Sequence, residues 1–281
     1  MKRMFLISLL FSQVISGCTS VRRINDYSTS ALKTLKKYEE LGFTFGKACR
    51  NACYIEQVRK LKLIGGDCPC AAEQTADSVT SVLYNALKGY FDGLVKLSSG
   101  DVANYKTQAL TKELKNGNFG DLKIDKSEVD AYAKLSMVLL KAFADGYRSK
   151  QLKNYVEDAN EPVKILLTAL DRNLASNLIG KLHVHKARLQ SIYFDFIQDS
   201  AASTYEKKKI IDDYHTQVEE ADLQQKQITS FTRGLQSMSA GHQKLFDNRN
   251  KMKAKEMKDL LADYASDLDD IISDFNKIKS K

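Results

Sequence analysis

Apolar side chains recur at three-to-four-residue spacing in successive blocks of the chain, the pattern of helices that each bury one face. After the capping residues of Asn25–Ser30 come Leu32, Leu35, Tyr38, Leu41 and Phe45, which predict a first helix running on into a cysteine-containing segment. Ala71–Leu97 places Val79, Val82, Leu83, Ala86, Leu87, Tyr90, Phe91 and Leu94 on one broad face, and Ser98-Ser99-Gly100 ends it. A shorter helix is expected over Val102–Leu114, stopped by the turn-rich Asn116-Gly117-Asn118-Phe119-Gly120. Ser127 reads as the N-cap of a helix over Glu128–Asp158, and Asn160 as the N-cap of another, with Pro162 tolerated in its first turn. That helix reaches Phe196 through Leu166, Leu170, Leu174, Leu178, Leu182 and Leu189, and Asp199–Ser203 is the expected break.

The last third is the most regular. Ile211, Tyr214, Val218, Ala221, Gln225, Ile228 and Leu235 alternate at three and four, and so do Met257, Tyr264, Leu268, Ile271, Phe275 and Ile278. Two such seams predict an antiparallel coiled-coil hairpin. Its turn can lie near Ser239-Ala240-Gly241 or near Asp247–Asn250. The earlier turn sets Lys207, Lys208 and Lys209 beside Asp267, Asp269 and Asp270, whereas the later one pushes the lysine triplet past the chain end. Charge register therefore selects the earlier turn.

Composition agrees with helices. The 281 residues include two prolines and no tryptophan, and 43% are hydrophobic. So few prolines argue against a sandwich or barrel, whose turns use them regularly. The expected fold is all-α: an elongated helical bundle with a disulfide-stapled N-terminal hairpin and a C-terminal coiled-coil hairpin. The segments read as 1–17, a signal peptide; 18–100, a stapled helical region; 101–200, a bundle; and 201–281, the hairpin.

The staple rests on Cys49, Cys53, Cys68 and Cys70. Helical residues four apart are too far from each other for Cys49 to reach Cys53, and Cys68 to Cys70 across one proline would be strained. If a helix descends from Cys53 and the chain climbs back in extended form after Gly65-Gly66, Cys68 comes level with Cys53 and Cys70 with Cys49. The nested pairing Cys49–Cys70 and Cys53–Cys68 fits best. A four-cysteine zinc site is the rival, against which stands a spacing unlike the usual two-residue knuckle.

The first residues fix a compartment. Lys2-Arg3 precede a largely apolar stretch over Met4–Ile15, then Ser16-Gly17-Cys18, which has the layout of a secretory signal. Ile15-Ser16-Gly17-Cys18 resembles the lipobox of bacterial lipoprotein precursors. The resemblance covers the first 18 residues only. It implies diacylation of Cys18, cleavage before it and acylation of the new amino terminus. Thr19 stands where an aspartate would favour inner-membrane retention, so the implied location is the outer membrane, facing the periplasm. Cleavage would remove Lys2 and Arg3 and lower the formal charge from +8 to +6. Lys33, Lys36 and Lys37 lie close enough in sequence to the tether to be candidates for lipid contact.

Little else points to chemistry. His183 and His185 diverge on a helix, and His215 and His242 stand alone, so all four read as surface or seam residues without metal or catalytic roles. Phosphate loops, nucleophile elbows and dinucleotide fingerprints are absent, and no cofactor is expected. Nucleic acid is a poor partner because basic and acidic residues are mixed throughout. Tyr193, Phe194, Phe196 and Ile197 form either a buried helix end or a partner patch. The expected function is a membrane-anchored, non-catalytic envelope scaffold or binding protein. Its alternative is an immunity or exclusion lipoprotein, with a helical toxin or an unfamiliar enzyme ranked below. The C-terminal heptads can also face a second copy of the chain.

Overall fold

The computed structural model describes residues 21–62, 67–99, 126–144, 152–251 and 255–280. Cys18, the expected helix over Val102–Leu114 and its turn lie outside them. Every regular element among the described residues is helical. They are α1 (residues 21–36), α2 (Phe45–Arg59), α3 (Ala71–Ser99), α4 (Lys126–Ala144), α5 (Leu152–Arg172), α6 (Ile179–Ile197), α7 (Thr204–Asp247) and α8 (Lys255–Lys279).

The bundle is organised around α7, whose 44 residues make a rod of roughly 66 Å. Ser203 caps it in a capping box with Glu206, at the break expected over Asp199–Ser203. Its first half lies antiparallel to α6, with Lys186 on Asp222 at 2.8 Å and Tyr193 on Tyr214 at 5.7 Å between ring centres. Its second half lies against α1, α5 and α8. One apolar core runs from Ile24 through α3, α4 and α5 to Phe275.

The C-terminal hairpin is antiparallel as expected, but α7 runs through 239 to Asp247 and α8 begins at Lys255, so the turn is not near 239. Ser237 donates to Asp267 at 2.5 Å, which fixes the later register. Lys208 instead pairs with Asp212 on its own helix, and Lys207–Lys209 have no aspartates of α8 opposite them. The physical reason is one of scale. Exposed ion pairs contribute about 0.2–1 kcal/mol each, whereas burying a leucine or methionine contributes ~1.5–3 kcal/mol. Continuing α7 past 239 buries His242 and Leu245.

Gly241 then has a different task from that of a turn residue. A Cβ there would lie 2.6 Å from Cε2 of Tyr27, and one at Gly234 would lie 2.5 Å from Cγ2 of Thr34. These two glycines, seven apart on one face of α7, let α1 approach the backbone. Tyr27 uses the closeness to donate its hydroxyl to the Met238 carbonyl at 2.6 Å. α1 runs parallel to α8, with Ser30 donating to Asp269 at 3.0 Å and Lys37 to Asn276 at 2.8 Å.

Three further boundaries differ from expectation. The first helix does not run into the cysteines: the chain passes through a short 3-10 turn, Lys37–Glu40, and Thr44 caps a separate α2. Ser127 lies inside α4 rather than before it. Asn160 and Pro162 lie inside α5 rather than at its start, because Tyr155, Val156 and Ala159 extend the buried face upstream. Tyr155 stacks on Tyr90 with centroids 5.0 Å apart. Between α5 and α6, Asn173–Leu178 form a π-helical turn. Leu166, Leu170, Leu174, Leu178 and Leu182 repeat at strict four-residue spacing, which drifts around an α-helix of 3.6 residues per turn. A wider turn with i→i+5 bonds resets that drift and keeps all five leucines buried.

Candidate functional site

The disulfide lobe is built from α2, the return segment 67–70 and the tip of the α6–α7 hairpin. The Thr44 hydroxyl accepts the Lys47 N–H at 3.2 Å. The Asp77 carboxylate of α3 accepts the N–H groups of Phe45 at 2.8 Å and Gly46 at 2.9 Å. A carboxylate suits a helix N-terminus, where unpaired N–H groups and the positive end of the dipole meet. This pins the start of α2 to α3.

Cys49 and Cys53 lie one turn apart on α2 and bond to Cys70 and Cys68, with Cα separations of 5.8 Å and 6.0 Å. The pairing is the nested one, and all four thiols are used in it. Two stitches hold segment 67–70 along α2. Beyond them Ile55, Leu189 and Ile192 form a second, smaller core, flanked by Tyr193, Phe196, Tyr214 and Val218. Lys181 on Glu73 at 3.1 Å and Arg59 on Asp195 at 3.9 Å tie α6 to the same lobe. A cavity of about 610 Å³ opens beside the disulfides, lined by Cys49, Cys53, Gln57, Pro69 and Arg188 among others.

Large apolar side chains are exposed on the lobe among charged ones. Of the exposed large apolar side chains, Tyr54, Leu61, Phe194, Tyr205 and Ile211 belong to it, whereas Val184 begins α6 and Met137 is on α4. Phe194 is 60% exposed and Tyr205 77% exposed. The run Tyr193–Ile197 thus divides: Tyr193 and Phe196 flank the small core, and Phe194 faces solvent. Burial pushes the Tyr193 phenol up, with the nearby Asp213 carboxylate adding to the shift.

The histidines are dispersed. His183 and His215 are exposed, and His185 is half-buried with Nδ1 buried and without a hydrogen-bond partner. Desolvation lowers the His185 pKa. His242 is not a surface or seam residue but lies in the core, 2% exposed. Its Nδ1 meets the Asn160 side-chain carbonyl at 3.1 Å, and its Nε2 meets the Tyr90 hydroxyl at 2.6 Å. A carbonyl oxygen only accepts, so Nδ1 carries the proton and Nε2 accepts from Tyr90. Burial holds the imidazole neutral, with its pKa lowered to about 3. This Tyr–His–Asn chain joins α3, α5 and α7 inside the protein, with no surface access for a substrate. A histidine with no local motif partner gives no sequence signal of such a role, since Tyr90 and Asn160 are 152 and 82 residues away.

Among the described residues no group of His, Cys, Asp or Glu is placed to hold a metal ion, and no helix is long and apolar enough to cross a membrane. No protein-family model, curated protein or solved structure matches this chain.

Proposed function

We propose that this chain is a lipid-anchored, non-catalytic component of the bacterial cell envelope that binds another protein through the disulfide lobe. The anchor is Cys18, on the strength of the lipobox-like Ile15-Ser16-Gly17-Cys18. The observation that carries the binding role is the concentration of exposed Tyr54, Phe194, Tyr205 and Ile211 on the one lobe that disulfides stiffen. A solvent-facing apolar surface on a preorganised support is what a protein partner uses, because little side-chain and loop ordering has to be supplied on association.

The test is a photo-crosslinking residue placed at Phe194 or at Tyr205 in living cells, with Met137 on α4 as the exposed apolar control. A discrete protein adduct at both lobe positions and none at Met137 is expected. Adducts absent from the lobe, or formed equally at Met137, would overturn the reading.

A further inference from the structure

We propose that the end of the bundle holding the first turn of α1, its entry end, is a cationic face that seats on an anionic lipid surface, with the disulfides about 45 Å away, the length of α3. The inference rests on the Cys18 anchor of the proposed function and adds to it the surface that meets the membrane.

Cross-helix contacts fix which helix ends lie together. Asn25, in the second turn of α1, donates to the Val95 carbonyl and the Ser98 hydroxyl at 3.0 Å each, at the end of α3. Tyr27 lies against Gly241 near the end of α7. Arg249, just beyond α7, pairs with Glu157 near the start of α5 at 3.2 Å. Leu139 of α4 lies beside Gly93 of α3. The first turns of α1 and α5 and the last turns of α3, α4 and α7 therefore end at one face.

The charges in those five terminal turns are one-sided. They are Arg22, Arg23, Lys96, Lys141, Lys153 and Lys244 against Asp247, and the first turn of α8, brought to the same end by the hairpin, adds Lys255 and Lys258 against Glu256. Arg22, Arg23, Lys141, Lys153 and Lys244 are exposed and Lys96 is half-buried, and Arg23 also reaches Asp26 at 3.5 Å. At the opposite end, the last turns of α2 and α6 and the first turns of α3 and α7 carry Glu56, Glu73, Asp195 and Glu206 against Arg59 and Lys207. The bundle is thus electrically polar along its length, positive at the entry end.

The tether leads to the same face. From Cys18 to Val21 is three residues, a reach of at most ~11 Å when extended. Lys33, Lys36 and Lys37, the cations that sequence proximity suggests, lie roughly 20 Å further along α1. Lys37 is occupied there by Glu40 at 2.7 Å and Asn276. An acyl anchor and an adjoining basic patch are the two signals that together give stable membrane attachment.

The experiment uses unacylated chain from residue 19 onward, which contains every described residue, with vesicles of phosphatidylcholine or of phosphatidylcholine mixed with phosphatidylglycerol. Sedimentation should show binding to the mixed vesicles only, weakening as salt rises. Each cation near an anionic surface contributes about a fivefold factor in affinity. The variant Arg22→Gln/Arg23→Gln/Lys153→Gln/Lys244→Gln should then bind several-hundredfold more weakly, with an unchanged melting transition. The variant Arg59→Gln/Lys207→Gln/Lys208→Gln/Lys209→Gln, at the other end, should bind like wild type. Absence of wild-type binding, equal binding by the entry-end variant, or loss confined to the distal variant would overturn the proposal. Palmitate labelling of the full-length chain and of Cys18→Ser tests the anchor separately. Label on Cys18 without vesicle binding by the unacylated chain overturns the cationic face alone, and vesicle binding without label supports the face while removing the anchor.

Discussion

Replacing Gly241 with alanine probes a close interhelical approach in the bundle, that of α1 to α7. The new Cβ would lie 2.6 Å from Cε2 of Tyr27, 3.0 Å from Cζ and 3.1 Å from the hydroxyl oxygen. Tyr27 has no room to yield: it is wholly buried, its hydroxyl is fixed on the Met238 carbonyl, and its ring meets Phe91 edge-on at 6.2 Å. Either α1 moves away from α7 or the tyrosine leaves its hydrogen bond. Overpacking of this kind costs about 1–3 kcal/mol, and loss of the bond adds roughly 1 kcal/mol. Against this, alanine in a helix interior gains ~1 kcal/mol over glycine. The net expectation is a loss of about 1–3 kcal/mol. Gly180, in α6, has nothing within 4 Å of where its Cβ would lie, so Gly180→Ala collects the helix-propensity gain without the clash. Urea unfolding followed by helical circular dichroism should therefore move the two alanine variants in opposite directions. In a double-mutant cycle, Tyr27→Leu should absorb much of the Gly241→Ala penalty, because the groups are in contact. If Gly241→Ala is as stable as Gly180→Ala, α1 does not pack there and residues 239–241 regain their candidacy as the turn.

The His242 pKa is lowered from its ordinary 6.5 to about 3 in the folded chain, so below pH 6.5 the unfolded state binds the extra proton and stability falls with pH. Between pH 7.5 and 5 the loss should be roughly 2 kcal/mol. His185→Gln should retain most of it, since that half-buried group adds only a smaller effect of the same sign, whereas His242→Gln should abolish the larger part. A pH slope that survives His242→Gln would exclude this cause. Digestion without reductant should link the peptides holding Cys49 and Cys70, and those holding Cys53 and Cys68. Cys53→Ser/Cys68→Ser should lower stability by up to ~3 kcal/mol, the value for a loop of that length, reduced because the outer bridge still encloses it. Crossed linkages, or no loss on removing the pair, would refute the nested arrangement.

The sequence by itself determined the helical class, the seams of α3, α7 and α8, the break before Thr204 and the pairing of the cysteines. These are local matters: a 3.6-residue period, a capping residue, and four thiols whose reach is limited by helix rise over a span of 21 residues. Position along one helix does not reveal what approaches it from another. Gly241 reads as a turn residue until Tyr27 is placed against it, and Asn160 reads as a cap until His242 is placed beside it. The hairpin turn shows the same limit in energetic form. Charge register is visible in the sequence but weak, whereas the burial that decides the matter depends on α1 and α5 lying against the second half of α7. The proposed surfaces follow from the same cause. Phe194 and Tyr205 come to share a lobe with Tyr54, and Arg22, Lys153 and Lys244 to share one end of the bundle, only because helix packing brings together segments that are far apart along the chain.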